Sequence, residues 1–360
     1  MRPRLTGYLR WLEELAHQPL AGWNGFTTPR SDNMNFGLRF QIAFSGYALG
    51  AIAIREPEFR ARCITALGAL IERFLSPPVW AYWVAATGSH DPVACANIQY
   101  SGHLGHLLGL YELLGGDARF DQPWDFEHNG QRTSYTHTGV IEAIHRQMLA
   151  NPYHGVECEA GCTYVSCNDH ALWATLLHDR VHGTHFADAN AAWLEFLQER
   201  LIFSGPRVPG RGAVTAIYST RLGRAAPLGL NFMDAWSLAL LAPLAPDLVQ
   251  TQARRLWPRL HYESDGTAYL PSANIWQRME GSDAAVNSGF AFVLAVELGE
   301  TAIADALLGY AEQNFKPTTT DEAFRYDAGI APAYTTALFA MGEAGGLGQL
   351  LHQPAHAIWS

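Results

Sequence analysis

The sequence predicts an all-α protein, an (α/α)6 barrel in which six helical hairpins close into a toroid, with residues 1–360 forming a single catalytic domain. Three observations lead there. Apolar residues recur at helical spacing in about a dozen segments. Period-two runs rich in β-branched residues are scarce. Long connectors rich in Gly, Pro and aromatic residues separate paired helices, which suits a ring whose inner helices converge on a pocket beneath functional loops. A solenoid is the rival architecture, but no fixed period of about 34 to 47 residues with recurring signature positions runs along the chain.

In chain order, the spacing predicts helices over Leu5–His17, Gly37–Ile54, Pro57–Leu75, Asn97–Leu114, Thr138–Ala150, Asn168–Val181 and Asp188–Leu201. The second half continues with Phe232–Leu241, Pro246–Leu256, Asn287–Leu298, Thr301–Gln313 and Ala333–Ala340. Strand candidates are limited to Ala213–Ser219 and parts of Phe324–Tyr326, read as short hairpins within loops.

Composition narrows the function. Hydrophobic residues make up 48% of the chain and charged residues 16%, a low charge content that points to an apolar cavity or a buried subunit interface. Eleven Trp, 14 Tyr and 17 Phe supply a lining. A net charge of -10 argues against a nucleic-acid partner, since phosphate backbones demand clustered Lys and Arg and the pair Arg254–Arg255 is too short. The N-terminal stretch reads as a helix rather than a signal peptide, so a cytoplasmic protein is expected. No window of about 18 uninterrupted apolar residues predicts a membrane span.

The segment "GVECEAGCTYVSCNDH" holds three of the five cysteines, Cys158, Cys162 and Cys167, followed by His170. These thiols could hold a metal, close a disulfide, act on a substrate or serve as small buried hydrophobes. Structural zinc normally takes two close ligand pairs separated by a loop, which this spacing lacks. A reducing compartment disfavours the disulfide.

Four stretches together resemble the linalool dehydratase/isomerase family: "NIQYSGHLGHLLGLYELLGGD" at 97–117, "GVECEAGCTYVSCN" at 155–168, "LHDRVHGTHFADANAAWLEFLQERLI" at 177–202 and "FKPTTTDEAFRYD" at 315–327. The similarity runs from about residue 38 almost to the C-terminus. It implies an (α/α)6 barrel and a cofactor-free, metal-free dehydratase of small apolar alkenols, working at a subunit interface of a ring-shaped homo-oligomer. Cys158 and Cys167 fall on the family's two catalytic thiols, and His103 on its active-site histidine. Gln99 and Tyr100 lie in the same motif as His103, Gln99 where the linalool enzyme carries methionine. Tyr164 matches an aromatic pocket residue, and Cys162 has no counterpart. Phe40 and Phe232 stand where tyrosines are expected, so two phenolic hydroxyls are missing. The family's N-terminal aspartate and tyrosine have no assured match, with Trp23 and His17 falling nearby.

The chemistry asks for an acid at the leaving hydroxyl and a base at the neighbouring carbon, held on opposite sides of a dry pocket. A thiol of ordinary pKa about 8.5 serves either way, and imidazole could supply or relay the proton. Phe40, Tyr82, Trp83, Tyr100, Tyr164, Phe232 and Trp236 could stabilise developing positive charge by their ring faces. Glu159, beside Cys158, could raise the pKa of a neighbouring thiol or orient it. Asp32 and Asp283 read as solvated loop carboxylates. Two other functions fit the fold: a carbohydrate-active hydrolase or epimerase using carboxylates, and a non-catalytic binder of hydrophobic small molecules. No GxSxG, phosphate-binding or dinucleotide fingerprint is present.

Overall fold

The computed structural model describes residues 4–28, 37–202, 213–214, 217–226, 230–272 and 283–352. Among these run twelve principal helices: α1 (Leu5–His17), α2 (Leu38–Arg55), α3 (Arg60–Phe74), α4 (Ile98–Leu113), α5 (His137–Ala150), α6 (Val165–His182), α7 (Asn190–Phe196), α8 (Asn231–Leu241), α9 (Pro246–Leu256), α10 (Ala284–Glu297), α11 (Thr301–Asn314) and α12 (Pro332–Glu343). Every segment expected from apolar spacing is helical. The seventh is irregular: Phe186–Ala189 is a 3-10 turn and Leu197–Leu201 a π turn flanking α7.

Even- and odd-numbered helices differ in composition, and that difference builds the ring. The odd ones carry one apolar stripe; α1 buries Leu5, Tyr8, Leu9, Leu12 and Leu15, and its other faces meet solvent. The even ones bury residues on every side, and α2, α4, α10 and α12 are apolar or small over most of their length, which calls for enclosure. All 16 residues of α4 are buried, as is α2 from Leu38 to Ile54. Accordingly α2 packs on α4, α4 on α6, α6 on α8, α8 on α10 and α10 on α12, and α12 returns to α2. Outside this closed ring α3 covers α2, α5 covers α4 and α6, α9 covers α8, and α11 covers α10. The architecture is the (α/α)6 barrel.

The α4–α6 seam is the closest. Gly105 and Gly109 let α4 approach until an added Cβ would lie 2.9 Å from Ala174 Cβ and 2.7 Å from Leu177 Cβ respectively.

Short antiparallel strands decorate the loops: β1 (Trp124–His128) with β2 (Gln131–Tyr135), β3 (Cys162–Tyr164) with β4 (Ile217–Ser219) and β5 (Arg224–Ala226), β6 (His261–Tyr262) with β7 (Ala268–Tyr269), and β8 (Pro317–Thr320) with β9 (Ala323–Tyr326). Of the expected strand over Ala213–Ser219, Ile217–Ser219 is β4 and Val214 makes an isolated bridge to Ile202, while residues 215–216 lie outside the described residues. The β1–β2 hairpin was not expected, although Asn129 and Gly130, with φ of 52° and 76°, are the Asn-Gly pair that such a turn requires. Asp283 is not a solvated loop carboxylate: it caps α10, accepting from the Val286 N–H at 3.0 Å and the Ile330 N–H at 2.7 Å. Asp32 lies outside the described residues. Among the described residues no helix is long and apolar enough to cross a membrane.

Candidate active site

The loop before α6 is folded back on itself, and that fold places the thiols. The Cys158 N–H donates to the Cys162 carbonyl at 3.1 Å, closing a turn in which Gly161 takes φ +91°. Asn168, in the first turn of α6, clamps the loop: its Nδ2 donates to the carbonyls of Val156 and Tyr164 and to Thr163 Oγ1, and its Oδ1 accepts from the Val156 N–H. Cys158 is thereby fully buried and set beside the thiol of Cys167, one residue before the clamp. Both are free thiols. Burial, then the neighbouring Cys167, pushes the Cys158 thiol well above its ordinary range, so it keeps its proton at neutral pH.

The first two turns of the inner helices present a cage of rings. His103 on α4 and His170 on α6 lie 3.7 Å apart between centroids, edged by Phe40 and Phe44 of α2 and by Trp236 of α8. Trp236 stacks on Phe290 of α10 at 5.2 Å, and Tyr334 of α12 lies 4.8 Å from Phe44. The polar atoms fix the tautomers. Trp236 Nε1 can only donate, so His170 Nε2, at 3.1 Å, accepts. His170 therefore carries its proton on Nδ1 and donates to His106 Nδ1 at 3.2 Å. Tyr47 bonds His103 Nδ1 at 2.8 Å, and the buried phenol is satisfied when it donates. That leaves a proton on His103 Nε2, which is buried without a partner. Desolvation, then His106 and Arg39, holds His103 well below its ordinary pKa, so it is neutral and offers a hydrogen bond rather than a charge.

Other expected residues fall as follows. Gln99 braces the thiol loop: it accepts from Arg39 at 3.0 Å and donates to the Cys158 carbonyl at 3.2 Å. Phe40 is in the cage, but the Arg39 guanidinium covers its ring at 4.3 Å and that of Tyr82 at 4.4 Å, so those faces are not free for a developing cation. Tyr164 donates its N–H to Cys158 Sγ at 3.3 Å. Glu159 is half-buried, raised by desolvation against the charge of Arg39, and it helps push Cys162 up to about 11. Phe232 is half-buried one turn before Trp236 on α8. Two residues face elsewhere. Tyr100 donates its hydroxyl to the Phe74 carbonyl at 3.0 Å and stacks on Phe74, and Trp23 packs on Phe26 and beneath Arg73.

Sequence reading missed Tyr334, Asp169, Asn168 and Tyr47. The Tyr334 hydroxyl is buried without a partner and is coupled electrostatically to Cys167. Asp169 is sealed with both carboxyl oxygens unpartnered, and desolvation, with Cys167 adding to it, pushes its pKa far up. Only Asp169 and Asn168, flanking the thiol motif as "CND", carried any signal in one dimension. A separate cavity of about 580 Å³ opens at the C-terminal ends of α2, α10 and α12, lined by Arg4, Arg55, Asp305, Glu312 and Glu343. Among the described residues no thiol or imidazole lines it.

The closed ring of paired helices places the chain among (α/α)6-barrel proteins. Solved structures agree at the level of fold: an unsaturated glucuronyl hydrolase from Bacillus sp. GL1 (TM-score 0.58, 10% identity, 95% of this chain and 94% of that one) and an α-1,6-mannanase from Salegentibacter sp. HEL1_6, crystallised with α-1,6-mannotriose (TM-score 0.57, 12% identity, 94% and 99%). The Lin0763 protein of Listeria innocua is similar to the same degree (TM-score 0.57, 10% identity, 97% and 98%). The family match is more specific. Residues 39–330 match the linalool dehydratase/isomerase family, and the chain belongs to it.

Proposed function

We propose that this chain is a cytoplasmic hydro-lyase that converts a small apolar alkenol, such as a tertiary allylic terpene alcohol, to a diene and water using side chains alone, as a homo-oligomer of the kind the family resemblance implies. The observation that carries the reading is the buried pair of neighbouring free thiols, Cys158 and Cys167, beside an aromatic cage. His103 Nε2–H and the Tyr334 hydroxyl, both unpartnered, hold the substrate oxygen. The protonated Cys158 gives its proton to that oxygen as the C–O bond breaks and water leaves. The Cys158 thiolate so formed takes the proton of the neighbouring Cys167 thiol, and the Cys167 sulfur, now free of its own proton, takes the proton from the adjacent carbon as the new double bond forms, so both thiols are restored without an outside reactant.

Headspace gas chromatography of the reduced protein with a panel of tertiary and secondary alkenols tests this. Diene should form with wild type and fall about 10²–10⁴-fold in Cys158→Ala and in Cys167→Ala, the usual contribution of a proton-transfer group. Full activity in either variant, or no diene from any alcohol, overturns the reading.

A further inference from the structure

At the opposite ends of α4 and α6 lies a second cluster that the thiol chemistry does not use. Glu112, one residue before the end of α4, places Oε2 2.8 Å from His137 Nδ1, in the first turn of α5, and 2.8 Å from His182 Nε2, the last residue of α6. Asp121 Oδ1 stands 4.0 Å from His182 Nε2. One ligand atom from each of the four lies within 4.8 Å of those of the others. We propose that Glu112, Asp121, His137 and His182 form a binding site for one divalent transition-metal ion, best suited to zinc, which pins the ends of the inner helices.

Several independent features support it. Two imidazoles and two carboxylates are a borderline donor set that zinc accepts. Tetrahedral zinc at about 2.0–2.1 Å from each ligand sets ligand atoms about 3.4 Å apart, between the observed 2.8 and 4.0 Å separations. Glu112 is 4% exposed, and its second oxygen, Oε1, is buried with no partner. Asp121 sets a carboxylate oxygen within 4.8 Å of the ligand oxygen of Glu112. Two like charges facing each other across two imidazoles call for a cation between them. The C-terminal ends of α4 and α6 add negative potential of the same sign. His178 stacks on His182 at 4.3 Å, but Thr138 and Thr184 occupy both of its nitrogens, which makes it a support rather than a ligand. His182 and Asp121 reach the surface, which gives the ion a path in. Nine residues of α4 separate Glu112 from His103, about 14 Å of helix, so this ion is not placed at the thiols.

Cobalt(II) titration of the full-length, reduced, metal-stripped protein tests the site, with calorimetry for stoichiometry. The expected result is one equivalent bound with the intense visible bands of four-coordinate cobalt and no thiolate charge-transfer band. Affinity should fall at least about 10-fold in Asp121→Asn and 100-fold in His182→Ala, both at the surface, with metal-free melting temperatures unchanged. Absence of binding at millimolar cobalt overturns the proposal. So does binding that His182→Ala leaves intact, or that shows a thiolate band from the cysteine cluster.

Discussion

At the scale of single residues, the arrangement of the thiols has a stereochemical consequence. The sequence suggests an acid and a base on opposite sides of the pocket, but the Cys158 and Cys167 thiols are neighbours, close enough for Cys167 to help raise the pKa of Cys158. Donor and acceptor therefore address one face of the substrate, and elimination should be syn. An alkenol carrying deuterium stereospecifically on the reacting carbon should lose the label from the face that bears the hydroxyl; loss from the far face contradicts the paired-thiol mechanism. Tyr334 offers a second test. Its hydroxyl has no partner in the protein, so Tyr334→Phe should leave stability intact. One lost hydrogen bond of about 0.5–1.5 kcal/mol should lower kcat/KM by about 2–10-fold. Unchanged kinetics would remove Tyr334 from substrate binding. This phenol and that of Tyr164 remain near the thiols although Phe40 and Phe232 carry none, so the site keeps hydroxyl donors on different elements.

At the scale of the element, helix propensity and packing oppose each other along α4. Glycine inside a helix normally costs about 1 kcal/mol relative to alanine. At Gly139, in the first turn of α5, the nearest atom to an added methyl is 3.4 Å away, and Gly139→Ala should gain part of that amount. At Gly109 the methyl would meet Leu177 Cβ at 2.7 Å, and overpacking of about 1–3 kcal/mol reverses the sign. Urea denaturation of the two variants should therefore move the midpoint in opposite directions. A stabilised Gly109→Ala would mean that the α4–α6 seam has room to yield, and the positions of His103 and His170 would not depend on it.

At the scale of the molecule, burial of neutral histidines sets the pH of greatest stability. Desolvation holds His103 and His170 well below their ordinary pKa and brings His106 and His178 to about 3. The unfolded chain protonates these histidines as pH falls through about 6.5 while the folded chain refuses the protons, so stability is complete above that pH and is lost below it. Buried carboxyls act the other way. Asp169 is raised far above its usual value and Glu297 to about 7, so the folded chain keeps protons that the unfolded chain releases near pH 4, and stability falls as pH rises. Four histidines outweigh two carboxyls in acid, each unmatched proton contributing about 1.4 kcal/mol per pH unit. Above neutrality only Asp169 remains, joined beyond about pH 8.5 by the buried thiols of Cys158 and Cys63. Denaturation midpoints across pH 5–9 should peak near 7 and fall on both sides; a midpoint that keeps rising below pH 6 contradicts this balance. Asp169→Asn should flatten the alkaline decline near pH 7–8.

Much of the fold was legible in one dimension, because helical periodicity and the contrast between all-apolar and striped segments are local properties. The twelve helices, the closed ring and the two thiols of the "GVECEAGCTYVSC" segment follow from sequence and its family resemblance. What only the tertiary structure decided is how those residues face one another. Tyr100 turns outward to Phe74, whereas Tyr334, some 230 residues distant in the chain, turns in toward Cys167. Helix phase and ring closure control that choice, and neither is written in a motif. The same holds for protonation: an isolated histidine or thiol has an ordinary pKa, and only enclosure by six inner helices makes His103 a neutral donor and Cys158 a persistent thiol.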